Sequence, residues 1–169
     1  MVMIRAAAAA DLDAALAIIA AARAYFKQAG IDQWQDGYPD RAALLSDLAD
    51  GSWYVAEENG TIVATFMAAL ENDLNYAVIQ DGAWRTSGTP YAVLHRIAVA
   101  EACKGRGVAA QAVAFVAEAF APRGARSIRG DTHADNHSMR RMLEKAGFSL
   151  CGVIHLADGA PRVAFERVL

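Results

Sequence analysis

The densest chemical signal in the sequence is the run Lys104-Gly105-Arg106-Gly107-Val108-Ala109, in which two glycines alternate with two cations between an apolar segment and an alanine-rich one. Glycine lets the main chain approach an anion closely. Backbone N–H groups and the positive end of a following helix then hold the anion, and Lys104 and Arg106 add charge. The simpler alternative is a tight basic connection between two elements. A Walker A loop is excluded, because G-x-x-x-x-G-K-[ST] has no match here. Gly105-x-Gly107-x-x-Ala110 does fit a dinucleotide fingerprint, with Asp131 suitably placed downstream to grip a ribose. Its context is wrong, however: five residues separate Val99 from Gly105, hairpins precede it, and only one further helix and a terminal hairpin follow.

The elements that must carry this loop can be read from periodicity and punctuation. Val2 to Arg5 reads as a strand, and Asp11 as the N-cap of an Ala/Leu/Ile-rich helix stopped by Gly30. Residues 31–39 form a loop containing Asp32, Trp34 and Asp36, after which Asp40 caps a second helix through about Ala49. Ser52 to Ala56 and Thr61 to Leu70 are strands joined by a turn at Asn59-Gly60. Residues 71–90 lack clear periodicity, with one helical turn near Leu74 to Val78, and they hold Trp84. Tyr91 to Val99 is a strong strand, Val108 to Phe120 a helix, Ser127 to Thr132 a strand and Asn136 to Ala146 a helix closed by Gly147. Ser149 to Leu156 and Arg162 to Val168 make a final hairpin around Asp158-Gly159. Short turns require the early strands to be antiparallel, whereas strand–helix–strand from Tyr91 to Thr132 requires a parallel pair. The expected fold is therefore α/β: a mixed sheet of about seven strands with helices on both faces.

Composition bounds the function. Lys and Arg number 16 against 19 Asp and Glu, a net charge of −3 over 169 residues, 55% of them hydrophobic. That balance argues against bulk nucleic-acid binding. A chain of this length buries roughly 70% of its unfolded surface without disulfide or metal staples, so one domain spanning 1–169 is expected. Cys103 and Cys151 stand in no metal-ligand spacing, so no metal is expected and the cytoplasm is the default compartment. No apolar run reaches the roughly 18 residues of a membrane span.

Two motifs resemble one family. Lys104-x-x-Gly107-x-Ala109, preceded by Leu94-His95-Arg96-Ile97-Ala98-Val99, is similar to the Gln/Arg-x-x-Gly-x-Gly/Ala signature and central strand of the GNAT acyl-CoA-dependent N-acetyltransferases. Lys replaces Gln/Arg at the first position, a small departure because backbone N–H groups do most of the work there. Asn136 through Phe148 is similar to the family's Asn…Leu/Tyr-Glu-Lys-x-Gly-Phe helix. The resemblance covers essentially the whole chain.

It implies acetyl-CoA as cofactor and a primary amine of a small molecule as acceptor, joined by direct attack in a ternary complex. It implies that the backbone of Ile97, Ala98 and Val99 holds the pantetheine arm, with an N–H near Val99 facing the developing oxyanion. The pyrophosphate would lie on Gly105, Arg106, Gly107, Val108 and Ala109 beside Lys104, and Asn136 would bind the cofactor arm. Among residues, His95 is the first candidate for the base: an ordinary imidazole titrates near pH 6.5, and strand alternation places it on the side of Ile97 and Val99. A hydrogen-bonded structural histidine is the alternative. Asp131 and His133 rank behind it as base or acceptor anchor, with capping of the next helix as their alternative.

Leu143 stands where many family members carry a tyrosine that protonates the leaving thiolate. Tyr25, Tyr91 and Cys151 are unranked substitutes. Asp32, Trp34 and Trp84 suit a cationic acceptor through charge pairing and cation–π contact, the alternative for both tryptophans being plain packing. The missing tyrosine also motivates a second function, a non-catalytic acyl-CoA-binding or sensing module. A terminal hairpin edge is compatible with a homodimer.

Overall fold

The computed structural model describes residues 1–88 and 90–169. Its elements are β1 (Val2–Ala6), α1 (Leu12–Ala29), α2 (Arg41–Ala49), β2 (Trp53–Glu58), β3 (Thr61–Leu70), β4 (Ala92–Val99), α3 (Val108–Phe120), β5 (Ser127–Thr132), α4 (His137–Lys145), β6 (Ser149–His155) and β7 (Pro161–Val168). The strands form a seven-stranded mixed sheet in the order β1-β2-β3-β4-β5-β7-β6. As expected, β1/β2 and β2/β3 are antiparallel and β4/β5 is parallel. The chain divides into two compact units, Met1–Ala68 with Arg96–Ala112, and Ala69–His95 with Val113–Leu169.

In the first unit, α1 turns Leu12, Ala15 and Ile19 onto a core shared with Leu44, Trp53, Val55 and Ala98. The spacing of 3 and 4 along α1 is what a helix needs to present one apolar stripe. The Trp53 indole is buried, and its N–H donates to Thr65 Oγ1 at 2.8 Å, so its polar atom is satisfied inside the core. Asn59 and Gly60 both have positive φ, which fits the tight turn between β2 and β3. Asp40 caps α2 by accepting from the Ala43 N–H at 2.9 Å. Asp11 does not cap α1 with its side chain. Its carboxylate instead accepts from the Ala8 N–H and from both terminal nitrogens of Arg5, at 2.8 Å in each case, closing the 3₁₀ turn Ala9–Asp11.

In the second unit, β7 lies between β5 and β6, and Val93, Val113, Val116, Ile128, Ile154 and Phe165 are fully buried. Burying each such side chain contributes about 1.5–3 kcal/mol before chain entropy is set against it. β6 is the terminal strand, yet Gln80 exchanges two backbone hydrogen bonds of 2.8 Å with Val153. The edge expected to be open to a second copy is therefore partly occupied by this chain's own 71–90 segment. Gly82 makes that approach possible: a Cβ on it would stand 1.9 Å from the Cys151 carbonyl oxygen. Among the described residues, no helix is long and apolar enough to cross a membrane.

Candidate active site

The first unit carries the glycine loop. β4 ends at Val99, a 3₁₀ turn covers Glu101–Cys103, and α3 begins at Val108. Gly105 and Gly107 have φ of 74° and 79°, a left-handed conformation that side chains with a Cβ rarely adopt. Nothing lies within 4 Å of where a Cβ would sit on either, so the loop faces open space. The N–H groups of Val108, Ala109 and Ala110 open a helix and have no partner within it. An open glycine backbone leading into a helix N-terminus is an arrangement able to hold an anion.

The loop's cations are already engaged. Lys104 Nζ lies 2.6 Å from a Glu101 oxygen and 4.7 Å from the centre of the Tyr25 ring. Arg106 Nη2 donates to both Glu58 oxygens, at 3.0 and 2.9 Å, and Nη1 reaches Cys103 Sγ at 3.4 Å. The positive charge expected to await a phosphate is thus internally balanced, and the backbone is the part of the loop left open.

Arg96, one residue after His95, has φ of 53°. A left-handed residue inside a strand breaks the pleat, so the alternation used to place His95 beside Ile97 and Val99 does not continue through it. The side chain explains how Arg96 is held there: Nε and Nη2 donate to the two oxygens of buried Asp47 at 2.9 and 2.6 Å, and Nη1 donates to Tyr38 Oη. Asp32 is exposed. The Trp34 ring packs edge-on against Phe26 at 5.5 Å, and its carbonyl accepts from Arg23 Nε at 3.0 Å.

The second unit gathers titratable groups around Tyr76. His95 Nε2 lies 2.9 Å from Asp73 Oδ2, both side chains mostly buried. Asp73 Oδ1 accepts from the Asn75 N–H at 2.8 Å, and the Asp73 N–H donates to Tyr91 Oη at 3.0 Å. Burial alone would raise the Asp73 carboxyl, but the hydrogen bonds from His95 and Asn75 outweigh it and hold the group below the ordinary carboxylate range. The Tyr76 ring lies 5.8 Å from that of His95, and its hydroxyl donates to Asp131 Oδ2 at 2.7 Å. Burial, then the Asp131 charge, pushes the Tyr76 phenol well above its usual value, so it stays protonated.

Trp84 donates its indole N–H to the Tyr76 carbonyl at 3.0 Å. The Arg129 guanidinium stands 4.2 Å from the Trp84 ring centre and 4.1 Å from that of Tyr91. The tryptophan expected to face an external cation therefore already carries an internal one. Arg129 Nε donates to fully buried Glu166 at 3.0 Å, and Glu166 also accepts from Ser127 Oγ at 2.6 Å, Thr86 Oγ1 and the N–H groups of Arg85 and Thr86. A cavity of about 420 Å³ opens against Tyr76, Trp84, Tyr91 and Arg129.

The remaining candidates include His133 and Asn136. His133 Nδ1 accepts from the Asp135 N–H at 3.1 Å. Asn136 is buried; its oxygen caps α4 by accepting from the Met139 N–H at 3.2 Å, and its amide donates to Thr132 Oγ1 at 3.1 Å. Leu143, Tyr91 and Cys151 are buried, while Tyr25 is exposed. The structure thus groups Lys104 to Ala109 in one unit, and joins His95 to Asp131 through Tyr76 in the other. Tyr76, Arg129 and Glu166 have no motif signal. Asp73 alone has a faint one, as a capping residue before a short helical turn.

Among the described residues no group of three or more His, Cys, Asp or Glu side chains could hold a metal ion. No match is found among curated proteins. The profile of the Acetyltransferase (GNAT) family matches residues 17–148. A GNAT-family acetyltransferase structure from Streptococcus agalactiae shares 31% identity at a TM-score of 0.88, covering 99% of this chain and 95% of that one. One from Listeria monocytogenes shares 19% identity at a TM-score of 0.75, with 99% and 95% covered. The ribosomal-protein-S18-alanine N-acetyltransferase of Escherichia coli shares 16% at 0.63, with 99% and 94% covered, a likeness of fold alone. With more than half its length matched by the family profile, and a relative above 30% identity over nearly all of it, the chain belongs to the GNAT acetyltransferase family.

Proposed function

We propose that this protein transfers the acetyl group of acetyl-CoA to a primary amine of a small molecule, by direct attack and as one catalytic domain. The observation that carries this reading is the open glycine backbone at Gly105 and Gly107 running into the start of α3, in the family's own motif. Acetyl-CoA supplies an activated acyl group with a thiolate as leaving group. Ile97, Ala98 and Val99 offer backbone groups to its arm, Lys104 to Ala109 hold its pyrophosphate, and Asn136 keeps its motif position while capping α4. His95 takes the amine's proton, with Asp131 and His133 ranking behind it. Asp32, Trp34 and Trp84 remain the acceptor-side candidates, with Trp84 the least free of the three because Arg129 stacks on it.

A screen of amines for release of the free CoA thiol tests this reading. Turnover with at least one small amine is expected. Tight acetyl-CoA binding with no turnover on any amine or peptide would favour the second reading, a non-catalytic acyl-CoA-binding module. That reading has its own observation, an apolar, buried Leu143 where a proton donor is common in the family.

A further inference from the structure

We propose that Asp73 is the positioning residue of the base: it holds His95 in the tautomer whose Nδ1 is free to take the acceptor amine's proton, making a carboxylate–imidazole dyad. This rests on the acetyltransferase reading and goes beyond it by naming the atom that accepts the proton and the residue that orients it. The geometry comes first. Asp73 Oδ2 sits 2.9 Å from His95 Nε2, and the carboxylate is itself fixed on its other oxygen by the Asn75 N–H at 2.8 Å. Its backbone is tied down as well, because the Asp73 N–H donates to Tyr91 Oη. A carboxylate anchored at both ends cannot swing away from the ring.

An ionised carboxylate offers only acceptors, so this contact requires the hydrogen to be on Nε2. In the neutral ring the lone pair is then on Nδ1. The other titratable groups around the ring within its unit are Tyr76, whose ring lies 5.8 Å away and which stays protonated, and behind it Asp131 and Tyr91. Tyr76 spends its hydroxyl hydrogen on Asp131, so among the described residues Asp73 is the one carboxylate bonded to the imidazole.

In the reaction, the amine's lone pair forms the new N–C bond, the thioester C–S bond breaks, and sulfur leaves with that electron pair. The surplus proton on nitrogen passes to His95 Nδ1, and from there to solvent or to the departed thiolate. Products are the amide and CoA thiol, and no oxidant or other reactant is needed.

The test combines kinetics with a readout that needs no substrate. Asp73→Asn keeps a good capping residue before the turn Leu74–Tyr76, so folding is preserved. With an amine from the thiol-release screen, Asp73→Asn should lower kcat by about tenfold to hundredfold, part of the 10²–10⁴ that a positioned base supplies. Acetyl-CoA affinity should not change. The substitution should cost nothing further on top of His95→Ala. A kcat within twofold of the parent, or a loss that adds in full to that of His95→Ala, overturns the proposal. Nitrogen-15 NMR of the neutral His95 ring should show hydrogen on Nε2, and hydrogen on Nδ1 overturns the dyad by itself. Absence of turnover with every amine overturns the acetyltransferase reading and with it the proton-transfer role, whereas turnover that Asp73→Asn leaves unchanged overturns the dyad alone.

Discussion

His95 and Arg129 are two basic side chains in one unit with opposite surroundings. Arg129 is stacked between two rings and neutralised by a carboxylate that five donors satisfy, so its charge is spent on structure. His95 has one carboxylate on one nitrogen and is only partly buried, which leaves it able to exchange protons. His95→Ala is therefore expected to leave acetyl-CoA affinity intact while lowering turnover about 10²-fold, measured by titration and thiol release. A loss smaller than twofold would remove His95 from the chemistry. The histidine was legible in the sequence as a titratable residue on the central strand. Its partner was not, because Asp73 lies 22 positions earlier, in a segment with no periodicity to place it.

At the scale of elements, the glycine loop and the 71–90 segment show two different uses of glycine. Gly107 is required for its backbone conformation, since the space around it is open. Gly107→Val forces a β-branched residue to a φ near 79°, and calorimetry should show acetyl-CoA binding abolished with the fold retained. Gly82 is required for space. Gly82→Ala drives a methyl into the Cys151 carbonyl, and chemical denaturation should show a loss of about 1–3 kcal/mol, the usual range for overpacking. The helix stops, the Asn59-Gly60 turn and the glycine loop were legible because each depends on residues adjacent in the chain. The break at Arg96 was not, since a buried carboxylate 49 positions away holds it.

At the scale of the whole molecule, the net charge of −3 hides carboxylates held in their charged form by specific partners. Hydrogen bonds from Arg5 lower Asp11. In Asp73 and Glu166 burial pulls the other way, but hydrogen bonds win: His95 and Asn75 for the first, Ser127, Thr86 and Arg129 for the second. Lowered folded-state values mean that the stabilisation is complete above the unfolded carboxylate range, about pH 4, and is lost as pH falls through the lowered values. Denaturation curves should therefore be flat near neutrality and collapse below about pH 4. Glu166→Gln should cost about 3–5 kcal/mol at neutral pH by leaving Arg129 uncompensated, and should flatten the acid limb.

The sequence by itself determined the order of elements, the parallel and antiparallel pairings, and the position of the glycine loop before α3. These follow from periodicity, turn residues and backbone freedom, which act over a few positions. Only the tertiary structure decided which groups meet: Asp73 with His95 across 22 positions, and Glu166 with Arg129 across 37. The reason is physical. Burying a charge is affordable only beside its partner, and that pairing is made by burial rather than by neighbourhood in the chain.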